Sequence, residues 1–260
     1  APNQLIEFVQ LVDYDNSKRY RYLLTEQSGN LWLLDKDGKD LDGWNPRSID
    51  GPLLVSAQHH RIRGKDFILA IRKDGIVHLF NRRAEDIKGF PLNLENKPAG
   101  GYFLEQGNTV ATTNFVVVSK DGIKVKFNVE GKIVSREPLV KTAIDDVFAL
   151  IPERTGKSFT ITRQNSKRFE LLNEQGQRIL INDFVGKNTI DVQFYDFGSG
   201  RVYYVLEDVT QDLAYLYYAA GQLLNSVPIE AESIALFVDG NNVYYCSSFE
   251  DQLTIQPIQN

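Results

Sequence analysis

Methionine is absent from the 260 residues, cysteine occurs once, tryptophan twice and histidine three times. A lone thiol, Cys246, cannot close an internal disulfide, and its place in the apolar run VYYCSS reads as a buried, inert side chain. One cysteine leaves the redox compartment open, because an oxidising compartment permits disulfides without requiring them. No apolar run approaches the roughly 18 residues of a membrane-crossing helix, so this segment is expected to make no membrane contact of its own. The opening APNQLIEFVQ also lacks the charged-then-apolar order of a signal peptide. A chain without methionine even at its start is expected to be a processed form or a piece of a longer protein. Charge of one sign is never concentrated: the net charge of −5 is spread along the chain. No basic stripe is present to bind nucleic acid, and no acidic tail.

What is present is a repeat. The segment LLDKDGKDL, with Gly38 at its turn, recurs around Ala84 (LFNRRAEDI), Gly131 (KFNVEGKIV), Gly176 (LLNEQGQRI) and Gly221 (LYYAAGQLL), at steps of 46, 47, 45 and 45 residues. Three positions before each turn residue stand Asp35, Asn81, Asn128, Asn173 and Tyr218. Four of these five can cap a turn with their own side chains. An apolar residue precedes each (Leu34, Phe80, Phe127, Leu172, Tyr217), and an aliphatic one follows each turn (Leu41, Ile87, Val134, Ile179, Leu224). That pattern predicts a hairpin. Upstream, RYRYLLTE-QSG-NLWLLD, KDFILAIR-KDG-IVHLFN and NFVVVS-KDG-IKVKFN add another strand and a second turn, and each unit opens on one more apolar segment.

Four short strands per unit, with turn signals every 8–12 residues, make a propeller blade, whereas no stretch keeps a helical period with caps. The expected fold is an all-β, single-domain β-propeller over residues 1–260, with six blades of about four antiparallel strands; seven or five blades are the alternatives. The blades fall at about 4–46, 52–94, 98–140, 143–185, 188–230 and 231–260, the last lacking its outer strand, where APNQLI is expected to pair.

Motifs that suggest chemistry mostly dissolve into the repeat. DKDGKDLDG at 35–43 resembles a calcium loop, but Asp40 and Lys39 occupy the places of the glycine and the fifth ligand. RTGKSF at 154–159 lacks the first glycine of a phosphate loop. Asp13, Asp15 and Ser17 in DYDNSKRY are the metal candidates, weighed against a solvated turn. His59 and His60, adjacent on a strand, point to opposite faces and cannot chelate together, and His78 takes the place of Trp32 beside the apolar column. No catalytic residue and no cofactor is indicated. Tyr203–Tyr204, Tyr217–Tyr218 and Tyr244–Tyr245 each set one ring on either side of a blade, which favours packing over a ligand platform.

Two stretches, DYDNSKRYRYLLTEQSGNLWLLDKDGKDLDGW and GKDFILAIRKDGIVHLFNRRAEDIKGFPLNL, carry a resemblance. They resemble the C-terminal propeller region of large membrane-anchored Bacteroidota proteins of unknown function. The strand–DG–strand–turn–G-W/F-P pattern is similar to quinoprotein-like and FG-GAP-like propeller repeats. The resemblance covers residues 6–94 and fades afterwards; its motifs are structural, so it implies a fold and an extracytoplasmic, cell-envelope setting within a larger anchored protein, but no active site.

The function expected is a monomeric, non-catalytic binding or scaffolding propeller with a protein or glycan partner. A carbohydrate-active enzyme, either a glycoside hydrolase or a lyase, and a purely structural spacer are the alternatives. The loops that join blades, and those that join the middle strands, conventionally line the binding face. Here they place Asn45, Arg47, Arg72, Lys73, Lys97, Lys120 and Asp121 there.

Overall fold

The computed structural model describes residues 5–14, 17–183 and 189–258. Among them there is no helix, and the strands form six antiparallel sheets, each a meander in chain order. The first joins β1 (Ile6–Val12), β2 (Arg21–Glu26) and β3 (Leu31–Leu34). The second joins β4 (Gln58–Ile62), β5 (Lys65–Ile71), β6 (Ile76–Phe80) and β7 (Leu92–Asn93). The third joins β8 (Phe103–Glu105), β9 (Asn114–Val118), β10 (Ile123–Asn128) and β11 (Ile133–Pro138). The fourth joins β12 (Val147–Pro152), β13 (Phe159–Gln164), β14 (Arg168–Leu172) and β15 (Arg178–Asp183). The fifth joins β16 (Ile190–Asp196), β17 (Val202–Asp208), β18 (Leu213–Tyr218) and β19 (Ile229–Glu230). The sixth joins β20 (Ser233–Asp239), β21 (Asn242–Phe249) and β22 (Gln252–Pro257). The chain packs as two compact units, Ala1–Leu139 with the first three sheets and Val140–Asn260 with the last three.

The repeated turn forms for a local reason. Asp35 Oδ1 accepts from the N–H groups of Asp37 and Lys39 at 2.8 and 2.9 Å. Asn81, Asn128 and Asn173 accept from the same two relative positions. The side chain thus satisfies backbone donors that the turn leaves unpaired. Tyr218 has no carboxylate or amide oxygen to offer; its turn is closed by backbone bonds, Tyr218 N–H to Gln222 and Gly221 N–H to Tyr218.

The outer strands are weaker than the repeat implies. The first sheet keeps only isolated bridges, Leu34 with Asp40 and Leu31 with Arg47, and β7 and β19 are two residues each. Proline explains the difference, because it has no N–H to give a ladder: Pro46, Pro91 and Pro228 stand where these strands would run. In the fifth sheet the Asn225 side chain takes over instead, accepting from Leu216 N–H at 2.8 Å. The strands β11 and β15 have no proline before Pro138 and run six residues each. Leu5 and Ile6 of APNQLI belong to the first sheet rather than the sixth, with Leu5 C=O accepting from Gln27 and Ile6 opposite Glu26; residues 1–4 lie outside the described residues.

Each unit is held by a central sheet apolar on both faces. In the first, Ile68 and Ala70 of β5 pack with Leu23, Leu33, Trp44 and Phe80, toward the first sheet. The intervening Phe67, Leu69 and Ile71 pack with Phe115, Val117 and Phe127 of the third. The second unit repeats this on β17: Tyr204 and Leu206 join Phe169 and Leu171 of the fourth sheet, and Tyr203 and Val205 join Ile234 and Leu236 of the sixth. Successive strand residues point to opposite faces, so a strand sandwiched between sheets must be apolar throughout. The tyrosine pairs thus serve packing. Tyr245 faces the fifth sheet, while Tyr244 stacks on Phe237 at 5.5 Å on the other face. Cys246, expected to be buried, is half-buried, because it shares Tyr244's alternation on that outer face.

Neighbouring sheets also touch turn to turn. Gly89, at φ +97°, lies so close to the third-sheet turn that a Cβ there would meet the Glu130 carbonyl oxygen at 2.1 Å; Gly38, at φ +77°, has nothing within 4 Å. Both positions are strained for an L side chain by about 1 kcal/mol, but only Gly89 adds a backbone collision. Gly89→Ala should therefore lower stability by at least about 2 kcal/mol more than Gly38→Ala, measured by urea unfolding. Equal losses would mean that the turn contact yields freely.

Candidate functional site

Three of the loop lysines converge. Lys73, Lys97 and Lys120 line a groove of about 690 Å³ in the first unit, with Pro52, Leu54, Asp74, Pro98, Ala99 and Gly100. The construction repeats between sheets. The segment entering the second sheet lies along the end of β5, with Leu54 N–H donating to Ile71 and Lys73 N–H to Pro52. The segment entering the third lies likewise along β9, with Ala99 N–H donating to Val118 and Lys120 N–H to Lys97. Two K-D-G turns, 73–75 and 120–122, thereby stand beside two proline-bearing connectors. All three lysines are exposed, and no ion pair engages them among the described residues. Asp74, the one acid in the lining, is chelated by Arg72, whose Nε lies 3.0 Å from Oδ1. The groove therefore offers ammonium groups over a largely apolar floor, in a protein of net charge −5.

The other anticipated residues lie apart from that lining. Arg47 spans the first two sheets, with Nη2 2.8 Å from Asp86 and its guanidinium 5.1 Å above the Phe80 ring. Asn45 is exposed, its amide against the carbonyls of Leu41 and Trp44. Arg72 lies under the groove, neutralising Asp74 and reaching the Ile49 carbonyl at 3.4 Å. Asp121 is exposed in the turn after Lys120. Asp13 accepts from the N–H groups of Ser17 and Lys18 at 3.1 and 2.9 Å, so its carboxylate caps its own turn; Asp15 lies outside the described residues. Among the described residues no three His, Cys, Asp or Glu side chains gather to hold a metal ion. The lining residues Pro52, Leu54 and Pro98–Gly100 carry no chemical signal of their own; the only available hint was the recurrence of K-D-G.

The buried carboxylates are occupied with structure. Glu26 accepts from Trp32 Nε1 at 2.9 Å, and Asp66 from His59, Arg61 and Arg82. Asp146 accepts from Thr142, Ala143 and Asn165; Glu153 from Thr155, Lys157 and Asp196 N–H. Glu170 is held by Arg163 through Oε2, while its buried Oε1 has no hydrogen bond among the described residues and lies 4.0 and 3.9 Å from Arg168 and Arg178; Asp208 caps Thr210 and Gln211. For Asp146 and Glu153 these donors hold the carboxyl below its ordinary value although burial pushes it up. A general acid needs the reverse, a direction that burial gives to Glu207, which accepts from the Gln193 amide.

No family model matches the chain, and no curated protein matches it. Solved structures do. Sqt1 of Saccharomyces cerevisiae is 12% identical with a TM-score of 0.62, covering 99% of this chain and 74% of that one. BBS1N, solved in complex with ARL6DN, is 11% identical with a TM-score of 0.56, covering 98% and 80%. BamB of Moraxella catarrhalis is 15% identical with a TM-score of 0.47, and this chain spans 64% of its length. At these identities the likeness concerns fold alone. With six antiparallel sheets and no helix among the described residues, the chain is a β-propeller. No helix among them is long and apolar enough to cross a membrane.

The adjacent imidazoles divide between two cores. His59 Nε2 meets Asp66 at 2.9 Å on the side of Tyr14, and His60 Nε2 meets the Tyr102 hydroxyl at 2.6 Å on the side of Phe115. Tyr102 gives its proton to Gln58 Oε1 at 2.9 Å, so His60 must be the donor, as the neutral Nε2–H tautomer. Burial, aided by His59, lowers the His60 pKa from its ordinary 6.5 to about 4. Between those values the unfolded chain takes up a proton that the folded chain refuses, so stability falls as pH drops through the window, by roughly 3 kcal/mol in all. His60→Gln should flatten the fall between pH 6.5 and pH 4 relative to wild type in urea titrations; parallel profiles would show that His60 does not carry it.

Proposed function

We propose that this chain is a non-catalytic binding propeller of the bacterial cell envelope, and that the groove of Lys73, Lys97 and Lys120 receives an acidic segment of a protein partner. The observation that carries the reading is the convergence on one groove of three lysines that have no ion-pair partner among the described residues, over a floor of prolines and small residues. An acidic peptide fits that combination: its carboxylates meet the lysines, and its backbone and aliphatic stems cover the floor. Steering at the groove is local, because the chain as a whole is acidic and would repel a polyanion at longer range. BBS1N, of the same fold, is seen with a protein bound. The envelope setting rests on the sequence resemblance. Against the glycosidase alternative stands the engagement of Glu26, Asp66, Asp146, Glu153, Glu170 and Asp208 in internal hydrogen bonds. A spacer would have no use for unpaired lysines brought together.

The test is titration of the chain with a fluorescein-labelled ten-residue Asp/Glu peptide, followed by anisotropy at low and high salt. Affinity should fall about tenfold for Lys97→Glu, further for the triple lysine reversal, and with rising salt as the charges are screened. Arg47→Gln should leave it unchanged. Unaltered affinity in the triple variant would sink the proposal, as would preference for a polygalacturonate chain over the peptide.

A further inference from the structure

Of the two K-D-G turns beside the lysine groove, only one places its acid in the lining. Asp74 stands there with Lys73, Lys97 and Lys120, whereas Asp121 of the second turn does not. The Asp74 side chain is 48% exposed, so a ligand lying in the groove would meet it. A carboxylate left bare among three ammonium groups would cancel part of their charge and repel an incoming anion. The residue before each lysine differs accordingly: Arg72 in the first turn, Ser119 in the second. Ser119 is buried, and its Oγ accepts from Ile123 N–H at 3.0 Å, so that hydroxyl serves its own turn.

Arg72 is built into place. Its backbone N–H donates to the Ile76 carbonyl at 2.8 Å, which fixes the residue at the start of the turn. Its side chain folds onto Asp74 as a fork, with Nε donating to Oδ1 at 3.0 Å and Nη2 to Oδ2. Nη1 reaches the Ile49 carbonyl at 3.4 Å. Gly51 lies against the guanidinium: a Cβ there would meet Nε at 3.1 Å and both Cζ and Nη2 at 3.2 Å, so Arg72 occupies the room that a side chain would need. Two bonds from a planar fork fix the direction of a carboxylate as well as offsetting its charge. Burial pushes the Asp74 carboxyl up, but the bonds from Arg72 and Ile76 N–H, with the guanidinium charge, outweigh it and hold the group below its ordinary value. Both oxygens are thereby directed to Arg72 instead of the lysines.

We propose that Arg72 sets the charge selectivity of the groove: by pinning Asp74 it keeps the lining cationic, and so admits an acidic segment of a protein partner. Arg72 is a positioning residue and does not itself touch the ligand. The inference rests on the acidic-segment reading of the groove and adds the residue on which its selectivity turns.

The test uses the same labelled Asp/Glu peptide on the intact chain, at neutral pH and low salt. Lys97→Glu changes the groove charge by two for about a tenfold loss, so Arg72→Gln, which uncovers one carboxylate, should weaken binding about threefold. Asp74→Asn should tighten it by about the same factor. The double variant Arg72→Gln/Asp74→Asn should return close to wild type, and Arg72→Lys, which keeps the charge, should lose less than Arg72→Gln. Unchanged affinity in Arg72→Gln would overturn the proposal. So would a loss that Asp74→Asn does not restore, because Arg72 would then touch the ligand or merely support the connector at Ile49. Should Arg72→Gln fail to fold, Asp74→Asn still decides, since no tightening there counts equally against the proposal. Indifference to the triple lysine reversal would bring down the groove reading itself, whereas a response to the lysines without one to Arg72 would remove this inference alone.

Discussion

A strand enclosed on both faces governs the rest of this architecture. The strands β5 and β17 have no polar side left to offer water, so a sheet must cover each face, and those sheets arrive in chain order. Alternation then assigns each residue its own core. Ile68 and Leu69 are neighbours in sequence yet belong to different hydrophobic clusters. A slip of one residue would exchange the two sets and misfit both, so packing fixes register more firmly than hydrogen bonding does.

Much of this architecture was legible in the residues because its determinants are local. An Asx side chain that caps donors two and four positions ahead is written in a single short segment, and four such segments at a steady spacing disclose the hairpins. The opposite orientations of His59 and His60, and of the paired tyrosines, follow from the same two-residue alternation. The outer strands were harder to read. The aliphatic column after each turn promised a strand, but Pro46, Pro91 and Pro228 withhold the donors needed to build one, and the side chain of Asn225 supplies a substitute no periodicity reveals.

The groove lay between these cases. Lys73 and Lys120 are marked by identical K-D-G turns, whereas Lys97 and the proline-bearing floor belong to connectors whose meeting depends on how one sheet lies on the next. Nothing in sequence separates Arg47 and Arg72 from the lysines. What separates them is a carboxylate: Asp86 lies 39 residues beyond Arg47, and Asp74 lies two beyond Arg72. Guanidinium groups here bind within the fold, bridging sheets by paired hydrogen bonds and lying over rings, as Arg82 does over Tyr14 at 4.5 Å. The groove's ammonium groups remain in solvent.

The placement of the two indoles bears on how this protein would be followed in solution. Trp32, hydrogen-bonded to Glu26, and Trp44, fully enclosed with its Nε1 on the Arg82 carbonyl at 3.0 Å, both stand in the unit that ends at Leu139. The later unit is rich in phenol rings and has no indole. Emission excited at the red edge of the tryptophan band therefore reports one half of the chain and is silent about the other. Far-ultraviolet dichroism weighs all the strands together, so any divergence between the two signals during denaturation would measure how far the halves melt independently.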